Sequence, residues 1–174
     1  QLGPAEIPRK RDWLIKDIFR RAKSQGLTVC PPPTHPFNPL LPLRLASCDM
    51  SLEKQQMLTG ALLDAAWMQG KDISDETVLM SLLRNCDIAS PHDLLKQAHS
   101  VDIKDRLRDQ TNTAIANGAF GVPTTLIDGE LFWGSESDTM DHISDVLYHP
   151  KAYADTANLL EAWRSTRPSA TRKK

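Results

Sequence analysis

One stretch sets the terms for the rest of the chain: Asp128-Gly129, lying between Thr124-Thr125-Leu126-Ile127 and Glu130-Leu131-Phe132-Trp133. A two-residue Asp-Gly between apolar and β-branched runs is the strongest short signal for a β-hairpin, because both turn residues need positive φ. A hairpin alone is marginal in water. No other segment of the 174 residues reads convincingly as a strand. The hairpin therefore requires a covering layer of helices, or a partner strand from outside the sequence.

Helical periodicity fills most of the remainder. After Pro8, the residues Trp13, Leu14, Ile15, Ile18, Phe19 and Ala22 recur at three- and four-residue spacing, and Gly26 supplies a stop, predicting a helix over roughly 8–25. Six of the twelve prolines (Pro31, Pro32, Pro33, Pro36, Pro39, Pro42) then fall close together, which argues against a regular helix or central strand. The interleaved Phe37, Leu40, Leu41, Leu43 and Leu45 predict an ordered connection there rather than a polar linker. Leu58, Ala61, Leu62, Ala65 and Ala66 mark a helix closing near Gly70, and Ser74 is placed to cap the next, whose stripe is Val78, Leu79, Leu82 and Leu83. Ser90-Pro91-His92-Asp93 opens another, and a helix over about 102–116 ends at Asn117-Gly118. Beyond the hairpin, Met140, Ile143, Val146 and Leu147 predict a helix to about Tyr148, with a short one over 150–163 and a basic, frayed end.

Composition excludes several classes. A net charge of −1 argues against nucleic-acid and membrane-surface partners. No apolar run approaches a membrane span, and the opening Gln-Leu-Gly-Pro-Ala-Glu does not read as a signal peptide. Cys30, Cys48 and Cys86 form no CxxC pair, so neither a disulfide framework nor a structural zinc site is expected, and a reducing cytosolic or organellar compartment is the default reading. All three cysteines, with Trp13 and Trp67, read as core residues. His92 and His99 read as surface residues, Arg9–Arg11 as a solvated face, and Asp72, Asp75 and Glu76 as capping acids.

Two stretches have local chemistry. In Gly118-Ala119-Phe120-Gly121-Val122-Pro123-Thr124, Pro123 is either an ordinary trans proline at an edge-strand start or a cis one. A cis peptide would turn the backbone N–H and C=O of Val122 outward, where an extended peptide can pair with them. In Phe132-Trp133-Gly134-Ser135-Glu136-Ser137-Asp138, a helix start offers free N–H groups to a carboxylate, with Asp138 suited to an ammonium. The alternative is that Ser135 or Ser137 only caps the helix.

Taken together and in order, these stretches, with Gly70-Lys71-Asp72-Ile73-Ser74-Asp75 and the opening Ile7-Pro8-Arg9-Lys10, Asp17-Ile18, Arg20-Arg21-Ala22 and Gly26-Leu27, resemble the DsbA-like thioredoxin proteins. Within that group residues 3–148 look closest to 2-hydroxychromene-2-carboxylate isomerases and kappa-class glutathione transferases. The resemblance implies an α/β thioredoxin-like fold carrying an inserted α-helical domain. It would divide the chain into a thioredoxin-like part (1–50), the helical insertion (51–117), a second thioredoxin-like part (118–149) and a tail (150–174). It also implies glutathione as the cofactor, a homodimer, and a small electrophilic or aromatic substrate, in the cytoplasm or in a mitochondrion or peroxisome of a eukaryote. Carried over by position, Val122 at Pro123 binds the cysteinyl part, Ser135 and Asp138 the γ-glutamyl end, and Lys10 lies near the tripeptide.

Two departures accompany the resemblance. After Trp133-Gly134 this chain runs two residues longer than the family pattern, with Thr139 in place of an arginine, so the acidic role falls on Asp138 or Glu136. The family's opening strand, its serine-bearing turn and its second strand have no counterpart after Gln1, so the catalytic serine is expected ahead of it. The expected activity is a glutathione-dependent isomerase or transferase. The alternatives are a DsbA-like thiol–disulfide oxidoreductase and a truncated, non-catalytic binding or dimerisation module.

Overall fold

The computed structural model describes residues 7–134, 137–149, 151, 153 and 155–166, and divides into two compact units, Gln1–Gln110 and Thr111–Lys174. The first is helical. Its opening helix α1 (Pro8–Ser24) has proline at its first position, where no helical N–H is lost. Gly26, at φ +70, ends it, with Leu27 N–H reaching Ala22 O at 2.8 Å and Gly26 N–H reaching Lys23 O at 3.1 Å, the paired bonds of a Schellman stop. Of its side chains only Ala22 is buried. Trp13 is 56% exposed, which corrects the expectation that it is a core residue. The periodicity of α1 is real, but Trp13, Ile15, Ile18 and Phe19 of that stripe are exposed.

The proline-rich passage is ordered, as expected, but it contains a helix that was not expected: α2 (Leu40–Ala46). Pro42 is its third residue and is buried. Proline is tolerated there because the first-turn N–H groups have no helical carbonyl to lose. Asn38 Oδ1 accepts from Leu40 N–H at 3.0 Å and starts the turn. Upstream, His35–Pro36 is a cis peptide.

Three further helices, α3 (Leu52–Trp67), α4 (Glu76–Asn85) and α5 (Pro91–Ala98), pack with α2 around one core. Leu45, Leu58, Leu79, Leu83 and Ile103 are its largest fully buried side chains. Ser51 caps α3 through Lys54 N–H. The cap of α4 is Asp75, accepting from Thr77 N–H at 2.7 Å, rather than Ser74. Ser74 is already engaged, since its N–H and hydroxyl both donate to Asp72 Oδ1, at 2.9 and 2.5 Å. Those bonds hold the Asp72 carboxyl below its usual range. Ser90 stands at the start of α5 but makes no side-chain cap bond.

Helix α6 (Val101–Ala116) anchors this unit through Arg106. Its guanidinium meets Asp49 with two bonds, 2.6 and 3.2 Å, and also donates to Ser47 O at 3.0 Å. The hydrogen bonds from Arg106, and then its charge, hold the Asp49 carboxyl below the ordinary value. A carboxyl depressed on folding contributes stability above its unfolded pKa of about 3.9, and that contribution is lost as pH falls through the depressed value. Asp49→Asn is therefore expected to flatten part of the acid-side fall in the melting midpoint below about pH 4. A melting series whose acid limb matches the wild type would contradict this role for the pair.

The second unit holds the hairpin. Strand β1 (Thr124–Ile127) pairs antiparallel with β2 (Glu130–Trp133), Thr124 facing Trp133 and Ile127 facing Glu130. Asp128 and Gly129 take φ +49 and +87, the two positive values that a type I′ turn needs. Among the described residues these two strands form the whole sheet. Helix α7 (Ser137–Tyr148) packs on both strands and buries Ile143 and Val146. A last helix, α8 (Thr156–Thr166), follows. No described helix is long and apolar enough to cross a membrane.

Candidate functional site

The site forms where α6 stops and β1 begins. Gly118, at φ +92, ends the helix, with Gly118 N–H bonding Ile115 O at 2.9 Å and Ala119 N–H bonding Ala114 O at 3.0 Å. The chain then runs outward through Phe120 and Gly121 to Val122–Pro123, which is a cis peptide, as the thioredoxin-like reading expects. Val122 is 91% exposed, and its backbone N–H and C=O make no hydrogen bond among the described residues. Pairing resumes one residue later, where Pro123 O accepts from Gly134 N–H at 3.0 Å.

That bond fixes the geometry. Because Thr124 faces Trp133 and Pro123 meets Gly134, the free Val122 backbone lies at the same end of the hairpin as the start of α7. Asp138 is in the first turn of that helix. A peptide unit that is unpaired among the described residues, beside a helix start bearing the Asp138 carboxylate, suits an extended peptide whose end carries an ammonium and a carboxylate. Ser135 and Glu136 lie outside the described residues. Lys10 belongs to the first unit, where, with Arg9, Trp13 and Leu14, it lines an open surface hollow of about 400 Å³.

Some residues escaped the sequence reading. Phe120 and Trp133 are both more than half exposed, and their rings stack with centroids 5.4 Å apart, tilted by 45°. A Cβ on Gly121 would lie 2.7 Å from Trp133 Nε1, so the indole lies against the loop only because residue 121 has no side chain. Thr124 donates its hydroxyl to Gly121 O at 2.6 Å. Gly121 and Thr124 flank Val122–Pro123 directly in sequence, and that adjacency was the available signal.

The cysteines divide. Burial pushes the Cys48 thiol up to about 11 and also raises that of Cys86, so both are poor nucleophiles near neutrality. Both are buried, as expected. Cys30 is exposed, a correction: the passage that carries it runs over the surface of its unit, joined by Cys30 N–H to Trp67 O at 2.7 Å. Among the described residues no group of three metal-ligating side chains occurs.

A family profile, the DSBA-like thioredoxin domain, matches residues 1–147. The chain belongs to that family. Among curated proteins, glutathione S-transferase kappa 2 of Caenorhabditis elegans is 25% identical over 160 residues, covering 84% of this chain and 70% of its own. Glutathione S-transferase kappa 1 of Rattus norvegicus is 29% identical over 155 residues, covering 83% and 69%. A solved structure of 2-hydroxychromene-2-carboxylate isomerase superposes with a TM-score of 0.76 over 90% of this chain and 75% of that one, at 19% identity. This DSBA-like thioredoxin domain therefore has its hairpin and helical unit within a fold already known for an isomerase.

Proposed function

We propose that this DSBA-like thioredoxin domain binds glutathione and serves an isomerase or transferase reaction on a small electrophilic or aromatic substrate. The observation that carries the reading is the exposed Val122 backbone, unpaired among the described residues, at the same end of the hairpin as the first turn of α7. The names of the two kappa-class relatives support it.

The residues fit the tripeptide. The Val122 N–H and C=O would pair with its cysteinyl backbone as one more short strand. The first N–H groups of α7 would receive the γ-glutamyl carboxylate, and Asp138 its ammonium. Bound glutathione supplies the thiolate nucleophile for addition to a conjugated or electrophilic carbon. This chain's residues contribute orientation, holding the cysteinyl segment at a fixed position while the substrate approaches. The active form is proposed to be a homodimer.

Titration calorimetry tests the reading. Glutathione is expected to bind the wild type in the micromolar-to-millimolar range, and Asp138→Ala to weaken it about tenfold, the worth of one charge-assisted hydrogen bond. Absence of heat at millimolar glutathione would overturn the proposal.

A further inference from the structure

The recognition element proposed above is a stretch of main chain, and main chain on a surface is useful only if something holds it still. Among the described residues, Val122 itself makes no bond that does so. Its neighbours on both sides are tied down. Thr124 Oγ1 donates to Gly121 O at 2.6 Å, bridging from the residue after Pro123 to the residue before Val122. Gly134 N–H donates to Pro123 O at 3.0 Å and ties the same segment to the end of β2. The Trp133 indole lies against Gly121, where a Cβ would come within 2.7 Å of Nε1, and Phe120 stacks on its ring.

We propose that Thr124, with Gly121 and Trp133, is a positioning device that presents the Val122 backbone for pairing. This rests on the glutathione reading and adds residues to it. The hydroxyl bridge is short, local and half-buried, so it restrains the Gly121–Thr124 segment without using either Val122 polar group. Gly121 has two functions: its carbonyl takes the bridge, and its missing side chain seats the indole. A Val122 peptide freed from these restraints would have to be reordered on each binding event, and the cost would appear as lost affinity.

The test compares Thr124→Val, which keeps shape and β-branching but removes the donor, with Thr124→Ser, which restores it. Two quantities are measured on the full chain: glutathione affinity by calorimetry, and the exchange rate of the Gly134 amide by NMR. Thr124→Val is expected to weaken glutathione about tenfold and to speed Gly134 exchange by a similar factor, while Thr124→Ser stays within about twofold of wild type. Gly121→Ala gives a second route, expected to displace the indole and weaken glutathione while Thr124 is intact. Wild-type affinity in Thr124→Val, or equal losses in the Val and Ser variants, overturns the proposal. If the wild type binds no glutathione, the functional reading falls separately, and exchange decides the brace: an unchanged Gly134 rate in Thr124→Val overturns it, and a faster rate supports it.

Discussion

Leu83→Ala is expected to cost the helical unit about 3 kcal/mol, measured by urea unfolding followed by circular dichroism. Leu83 is fully buried on α4, inside the cluster that also contains Leu45, Leu58, Leu79 and Ile103. Truncation removes the transfer free energy of three carbons and leaves a void that close-packed neighbours fill only in part. The comparison that makes this informative is Leu63→Ala on α3, where the side chain is 58% exposed and the expected cost is within about 0.5 kcal/mol. Equal losses at the two sites would contradict the assignment of the core. The contrast matters because both residues are leucines in helices of the same unit, one buried and the other exposed.

Gly70→Ala is expected to be nearly as damaging, by a different route. Gly70 follows the end of α3, where Lys71 N–H reaches back to Ala65 O at 2.8 Å. It holds φ +62, which costs a residue with a Cβ about 1 kcal/mol. A Cβ there would also lie 2.7 Å from Cys30 Sγ and 3.1 Å from Pro31 O. The thiol is able to rotate away, but the backbone carbonyl is not. A total loss of about 2 kcal/mol is expected in the same unfolding assay, and Cys30→Ala added to the variant should recover only part of it. Full recovery would show that the sulfur contact was the whole penalty and that the backbone strain contributes nothing.

What the sequence disclosed follows from how locally each feature is determined. The hairpin was legible because Asp128-Gly129 specifies its own turn, and the structure gives both residues positive φ. Helix ends marked by Gly26 and Gly118 were legible for the same reason. Helix α2 was not, because a count of prolines takes no account of position, and Pro42 falls within the first turn, where its missing N–H costs nothing. Periodicity and composition place Trp13 and Cys30 in the core because they report which face is apolar and not what covers it, and both are exposed. Ser74 lost the cap of α4 to Asp75 through a competing bond to Asp72, a choice between neighbours that propensity does not resolve.

The candidate site shows the same division. Val122–Pro123 and the helix start at Asp138 were readable as motifs, each within a few residues. Their meeting at one end of the hairpin depends on register, with Thr124 opposite Trp133, and the Asp-Gly turn sets that register. The seat of Trp133 on Gly121 joins residues twelve apart across the sheet, and no local pattern announces it.

The exposure of Val122 has a consequence for variation. Its side chain touches little, and the atoms proposed to do the binding are the N–H and C=O that nearly every amino acid carries. Replacement by isoleucine, leucine or threonine would leave those atoms in place. The same exchange at Gly121 or Pro123 would not, since one would collide with an indole and the other would restore a backbone donor. Tolerance at position 122 beside intolerance on either side is the pattern that a main-chain binding site would leave in a library of random variants.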